Sequence, residues 1–102
     1  MANANAFAAL AEPMRQSIVE RLSERPMAVG DLARLLPVTR PAVSQHLKIL
    51  KEARLVRDHA EGTRRIYSVD PAGLGAIRAW LDKYWDKALA AYVEAAEREE
   101  KE

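Results

Sequence analysis

Apolar residues recur every three or four positions through much of this chain, and that spacing predicts amphipathic helices. In the alanine-rich start, Phe7 and Leu10 stand three apart and favour a short first helix. A second helix is predicted from Met14, Ile18 and Leu22, which fall on one stripe. A proline on either side limits this helix, because proline is tolerated in a first turn and interrupts a helix elsewhere.

The segment VGDLARLL, residues 29–36, predicts a third, shorter helix that the following proline closes. A fourth helix is predicted soon after it, in VTRPAVSQHLKIL, and runs to about residue 53. Thr39 can cap this helix with its hydroxyl, and Pro41 falls in the first turn, where its missing N–H does no harm. Two helices joined by so tight a turn are typical of a helix-turn-helix unit.

The fourth helix has an apolar side and a polar side. At 100° per residue, one side carries Val43, Leu47, Leu50 and Arg54. The other side carries Pro41, Ser44, Gln45, Lys48 and Glu52. The first side is expected to pack on the domain, which leaves the second to face solvent or a partner.

Beyond the fourth helix the pattern becomes extended. LVRDHA and RRIYSV, residues 55–60 and 64–69, are rich in Val, Ile and Tyr, and the turn signal EGT separates them. Together they predict a β-hairpin with Gly62 in its turn. Its arms carry Arg57, His59, Arg64 and Arg65.

A last helix of about 30 residues is predicted to start at Pro71, with Asp70 as its cap. At about 1.5 Å per residue it is roughly 45 Å long, more than a domain of this size can cover. Its apolar band therefore needs another chain, and a homodimer with the first helix packed alongside is the simplest solution. The predicted interface comprises Phe7, Leu10, Leu74, Ile77, Leu81, Tyr84, Trp85, Ala88 and Tyr92.

Length and charge narrow the possible partners. A chain of 102 residues with 49% apolar residues suits one compact domain. The net charge is only +1, yet residues 39–65 hold seven Lys or Arg and three Asp or Glu. Such a local basic excess favours a polyanionic partner at one face.

The polar side of the fourth helix has the side chains that read DNA. Gln45 can pair bidentately with adenine and Arg40 with guanine, and Ser44 can reach a base or a phosphate. A merely solvated face is the alternative, but the order of tri-helical unit, basic hairpin and long apolar helix favours DNA. The predicted contact residues are Thr39, Arg40, Ser44, Gln45, His46, Lys48, Lys51, Arg57, Arg64 and Arg65.

Four segments together resemble the arsenic-repressor (ArsR/SmtB) family: LAEPMRQSIVERL, VSQHLKIL, KEARLV and EGTRRIYSV. The resemblance implies a mainly α fold of the α+β winged-helix type, with a tri-helical helix-turn-helix core, a two-stranded β wing and a long C-terminal dimerisation helix. It implies one domain over 1–102, in which 13–70 form the DNA-binding core and wing, and 1–12 and 71–102 the dimerisation helices. A homodimeric repressor on a palindromic operator, often overlapping its own promoter, is expected.

The metal-sensing residues of many such relatives are missing. The chain has no cysteine, MAVGDL stands where a cysteine motif would lie, and the only histidines are His46 and His59. Zinc needs three or four converging ligands, so no metal and no cofactor is expected, and His46 is interpreted as a packing or phosphate-contacting residue. An effector, either a small molecule or a protein, stays open. Aromatic residues of the last helix could line a pocket between subunits, although dimer core is the simpler interpretation.

Other classes of function find less support. No Ser-His-acid set, paired carboxylates or phosphate-binding glycine loop is apparent, so an enzyme is not expected. A protein-interaction module that uses the long apolar helix, with incidental DNA binding, is the alternative function. No signal segment and no run of roughly 18 apolar residues is present, which predicts a cytoplasmic protein without a membrane span.

Overall fold

The computed structural model describes the backbone of residues 2–101 and the side chains of residues 5–101. In chain order the elements are α1 (Ala2–Leu10), α2 (Pro13–Glu24), β1 (Met27–Ala28), α3 (Val29–Leu35), α4 (Arg40–Glu52), β2 (Val56–Glu61), β3 (Arg64–Val69) and α5 (Pro71–Lys101). The described chain is thus mainly helical with a small antiparallel sheet, which confirms the predicted winged-helix fold class.

The core lies between α2, α3, α4 and the sheet. Its largest fully buried side chains are Ile18, Val43, Leu47, Leu50, Leu32, Leu55 and Val56. Three of them form the apolar stripe predicted for α4, and each buried side chain of this size contributes about 1.5–3 kcal/mol relative to exposure. The buried stripe therefore fixes which side of α4 faces outward.

The two ends of α4 are fixed by local hydrogen bonds. At the start, the Ala42 N–H donates to the Thr39 hydroxyl oxygen at 3.3 Å, as the sequence predicts. At the end, the Arg54 N–H donates to the Lys51 carbonyl and the Leu55 N–H to the Leu50 carbonyl. This pair of bonds is a Schellman motif, in which the residue after the cap is left-handed.

Arg54 is that left-handed residue, with φ of 59°, and it is exposed. The expectation that it shares the apolar side of α4 is therefore wrong. The helix ends before Arg54, so helical periodicity no longer sets the direction of its side chain.

The sheet has the strand order β1-β3-β2 and is antiparallel throughout. The predicted hairpin is present, with Gly62 in its turn at φ of 64°. Its first strand begins one residue later than expected, because the Leu55 N–H is used in the hydrogen-bonded cap of α4. The sequence does not predict β1, in which Met27 pairs with Tyr67 and Ala28 with Ile66. Two residues are too few to show a strand period.

The long helix α5 begins as predicted, with the Ala72 N–H donating to the Asp70 carboxylate at 2.9 Å. Its first turn rests on the end of α4, where the Gly73 N–H donates to the Arg54 carbonyl at 2.8 Å. Further along, α1 packs beside it, and the Phe7 and Trp80 rings meet edge-on at 5.1 Å between centroids. The rest of α5 extends outward and gives the molecule a length of 67 Å against a width of 26 Å.

Candidate nucleic-acid interface

The outward side of α4 carries the side chains that the sequence predicts for reading DNA. Ser44, Gln45 and Lys48 are all exposed on this helix, and Arg40 is exposed in its first turn beside Thr39. In the described part of the chain, no carboxylate lies within ion-pair distance of Arg40 or Lys48. The polar groups of this surface are thus free to meet an external partner.

His46 points elsewhere. Its Nδ1 lies 3.5 Å from Arg15 Nη1 and 3.9 Å from the Glu12 carboxylate, and only 22% of its side chain is exposed. The structure therefore places His46 against α2 and not with the exposed side chains, contrary to its inclusion in the predicted DNA-contacting set. It lies at the flank of the buried stripe, where the neighbouring helix encloses it.

Glu12 is the side chain that begins α2. It accepts a hydrogen bond from the Arg15 N–H at 2.8 Å. That backbone hydrogen bond lowers the pKa of the Glu12 carboxyl below its usual value against the opposing effect of burial, and the Met14 N–H and the Arg15 side chain contribute less. Because Glu12 caps α2 and His46 lies on α4, the contact between these two side chains helps to hold the two helices together.

Two of the three arginines of the wing, the hairpin β2–β3, are held by aspartates. Arg64 pairs with Asp31 at the start of α3, and Arg65 Nη1 lies 3.2 Å from Asp58 on the neighbouring strand. Both arginine side chains remain more than half exposed, at 57% and 56%. Arg57 is exposed as well. The wing therefore presents positive charge outward, and the aspartates orient Arg64 and Arg65.

Asp58 joins the wing to α4. Its side chain is only 6% exposed, and its two oxygens receive Lys51 Nζ at 2.8 Å and Arg65 at 3.2 Å. The hydrogen bond from Lys51 lowers the pKa of the Asp58 carboxyl, and Arg65 lowers it further, against the opposing effect of burial. Lys51 and Arg65, both predicted to contact DNA, are thus fixed relative to each other by one carboxylate.

Replacing Asp58 with asparagine is expected to lower the free energy of unfolding by about 1–2 kcal/mol at pH 7, because two charge-assisted contacts are lost. The lowered pKa means that this stabilisation is complete above the ordinary aspartate value of 3.8 and is lost as pH falls below it. Urea unfolding at pH 7 and pH 3 should show the difference between Asp58→Asn and wild type shrinking at the lower pH. Asp82→Asn, in an exposed ion pair with Arg78, is the matched control and should change stability by less than about 0.5 kcal/mol at either pH. A difference that is the same at both pH values would contradict this role for Asp58.

Sequence reasoning missed Asp31 and Asp58 as partners of the basic side chains. Asp31 lies 33 residues from Arg64, and Asp58 lies seven residues from Arg65 across the hairpin. The only local signal is the cross-strand register, which brings Asp58 opposite Tyr67 and within reach of Arg65. Neither periodicity nor spacing relates Asp31 to the wing.

A second surface follows α5. The predicted interface residues Leu74, Leu81, Tyr84, Trp85, Ala88 and Tyr92 are all exposed, together with Trp80, Leu89 and Val93. Phe7 is half-buried against Trp80. Leu10 and Ile77 differ from the rest, because the structure packs both partly against the core of their own chain. Leu10 and Ile77 thus already have contacts within their own chain, whereas Leu81 and Trp85 are exposed.

Two further observations concern classes of site. Within residues 5–101 the structure shows no group of three or more His, Cys, Asp or Glu side chains that could hold a metal ion. None of the helices in the described chain is both long enough and apolar enough to cross a membrane.

The helix α4 is buried on one side and exposes polar side chains on the other; a short helix precedes it and a basic hairpin follows it. This arrangement defines a winged helix-turn-helix DNA-binding protein. The model of the bacterial regulatory protein arsR family matches residues 12–58. The HTH-type transcriptional regulator Rv2034 of Mycobacterium tuberculosis is 57% identical over 94 residues, which are 92% of this chain and 88% of that protein. The chain belongs to the ArsR family, as its resemblance implies, and is a transcriptional regulator and not an enzyme.

Two further relatives agree with this assignment. The transcriptional repressor SdpR of Bacillus subtilis is 32% identical over 83 residues, covering 81% of this chain and 92% of that protein. The solved structure of an ArsR-like transcriptional regulator from Rhodococcus sp. RHA1 has a TM-score of 0.77 at 32% identity, and the match covers 93% of this chain and 92% of that one. The likeness extends over α5 as well as over the helix-turn-helix unit.

Proposed function

We propose that this protein is a homodimeric, sequence-specific repressor that binds a palindromic operator and acts without a metal ion. The observation that carries the proposal is the exposed side of α4, where Ser44, Gln45 and Lys48 face outward beside the basic wing. Side chains that form bidentate hydrogen bonds, such as Gln45 and Arg40, distinguish bases, whereas Lys48 and the arginines of the wing can bind phosphates. The name of the relative SdpR as a transcriptional repressor supports repression over activation.

The dimer is supported by the apolar surface of α5. Trp85 is 57% exposed and Tyr92 is 73% exposed, and such large aromatic side chains contribute most where they are enclosed. A two-fold dimer would cover this surface with an identical one. It would also place two copies of α4 for two half-sites about 34–36 Å apart on one side of the duplex, which is why the operator is expected to be palindromic.

The set of possible metal ligands in the sequence supports metal independence. The sequence contains no cysteine and only two histidines, His46 and His59, of which His46 lies against α2. An inducer, whether a small molecule or a protein, stays open, and control of its own promoter is part of the proposal. Because the proposed partner is the chromosome, the proposed place of action is the cytoplasm.

Gln45→Ala and Arg40→Ala are each expected to weaken binding to the preferred duplex by about 1–3 kcal/mol and to relax the base preference. The measurement is fluorescence anisotropy in the presence of a chelator, on a duplex from the upstream region of the gene and on a scrambled duplex. Arg57→Ala is the control within the same basic surface. It should weaken both duplexes alike and lower the salt slope by about 0.9, the value for one phosphate contact.

The outcomes separate the candidate functions. Equal losses on both duplexes for Gln45→Ala and Arg40→Ala would contradict base readout by α4. Weak binding of the wild type to every duplex, together with a monomer that captures another protein, would contradict the repressor and favour an interaction module. A preference that appears only when metal is added would contradict metal independence.

A further inference from the structure

An open cleft of about 570 Å³ lies beside the first turn of α4, between the start of α3 and the tip of the wing. We call it the arginine cleft. The side chains that line it include Asp31, Arg34, Arg40, Thr63, Arg64 and Arg65. Four guanidinium groups and a hydroxyl thus surround one space, in which every polar side chain except one carboxylate can donate a hydrogen bond.

The one carboxylate of the cleft is already bound by its arginines. Asp31 receives Arg64 through one oxygen and Arg34 Nη1 at 3.4 Å through the other, and 42% of its side chain is exposed. Two planar guanidinium groups that bind the two oxygens of one carboxylate can bind two oxygens of a phosphate equally well. The guanidinium groups that bind Asp31 are therefore suited to binding an external anion as well.

Positive charge remains in excess after these pairs are counted. Arg34 and Arg64 share Asp31, and Arg65 pairs with Asp58. The guanidinium of Arg40 lies against Gly30, with its Nη1 3.7 Å from the position of an added Cβ there, and has no acidic partner in the described part of the chain. The four arginines of the cleft therefore exceed the two aspartates that they contact by two positive charges, and Asp58 is shared with Lys51 as well, so the excess is enough to attract a phosphate.

We propose that the arginine cleft binds one backbone phosphate of the DNA, and that in the free protein Asp31 is an internal substitute for it. The inference rests on the proposed function and names a phosphate subsite within it. DNA binding is then an exchange, in which Arg64 and Arg34 leave the carboxylate for the phosphate. The carboxylate stays close to the phosphate and repels it, so Asp31 limits the affinity for every sequence.

The test is Asp31→Asn, which keeps the shape of the side chain and removes its charge. On the duplex that the wild type prefers, the variant is expected to bind about three- to ten-fold more tightly at low salt, and the difference should shrink as salt rises. Asp82→Asn makes the same charge change in an exposed aspartate–arginine pair on α5 and should leave affinity within about two-fold of wild type. Unchanged or weaker binding by a folded Asp31→Asn protein, with a wild-type melting transition, would overturn the proposal in favour of a purely structural ion pair.

Single uncharged methylphosphonate linkages, moved along the preferred duplex, locate the phosphate. One linkage should abolish the gain of Asp31→Asn, and the same linkage should cost an Arg64→Ala variant nothing further. A gain that persists at every linkage would mean that no single phosphate occupies the cleft, which contradicts the proposal.

Competition with inorganic phosphate distinguishes a DNA backbone phosphate from a free phosphate ion as the occupant of the arginine cleft. At matched ionic strength it is expected to displace DNA no better than chloride does. Saturable displacement by phosphate that Arg64→Ala abolishes would assign the cleft to a free phosphate ligand and overturn the assignment to the backbone. Failure of the wild type to bind any duplex would instead contradict the proposed function itself.

Discussion

Leu81→Asp is expected to convert the protein from a dimer to a monomer and to abolish binding to the preferred duplex. Leu81 is 50% exposed on the apolar surface of α5, and the proposed two-fold interface would bury it. Two unpaired carboxylates would then be enclosed per dimer, at a cost of about 3–5 kcal/mol for each isolated buried charge. Because each α4 contacts one half-site, a monomer loses the second half of its contacts with DNA. Sedimentation velocity at micromolar concentration measures the change.

The chain offers a matched control for this substitution. Ala90 is exposed and lies nine residues after Leu81, which at 100° per residue is the opposite side of the same helix. Ala90→Asp adds an identical charge and should leave both the dimer and the DNA affinity intact. A Leu81→Asp protein that still sediments as a dimer would contradict the proposed interface. Loss of the dimer in both variants would indicate instead that α5 itself had been destabilised.

Gly73→Ala is expected to destabilise the fold, because there is no room for a methyl group where α5 meets α4. An added Cβ would lie 2.5 Å from the Arg54 carbonyl oxygen and 3.0 Å from that of Ala53, and both are backbone atoms that cannot turn aside. The forced shift costs about 1–3 kcal/mol, and the hydrogen bond from the Gly73 N–H to Arg54 at 2.8 Å contributes about 1 kcal/mol more. Urea unfolding should therefore show a loss of about 2–4 kcal/mol.

Gly75 is the internal comparison for that prediction. It lies two residues further along the same helix, and no atom comes within 4 Å of its added Cβ. Gly75→Ala should stabilise the protein by about 0.5–1 kcal/mol, because alanine loses less backbone entropy in a helix. The same change in the two variants would mean that α5 does not rest on the end of α4 as closely as the structure has it.

Local sequence patterns were enough to predict most of the secondary-structure elements and the buried side of α4. The spacing of Val43, Leu47 and Leu50 predicted which side of α4 is buried, and consequently that Ser44 and Gln45 face outward. The caps of α4 and α5 and the position of the hairpin follow from residues adjacent in the chain. The apolar band of α5 was visible in the sequence because residues three or four apart lie on the same side of a helix.

Contacts between distant segments were decided only by the tertiary structure. The pairing of Asp31 with Arg64 and of Asp58 with Lys51, the direction of His46 and the two-residue strand β1 depend on the angle at which the wing and α2 pack against α4. Long charged side chains on a solvated surface carry no periodic signal that names their partners. The sequence by itself thus determined the elements and the outward side of the DNA-reading helix, because both depend on neighbouring residues. Which acid holds which arginine depends on packing over tens of residues, and no local pattern encodes it.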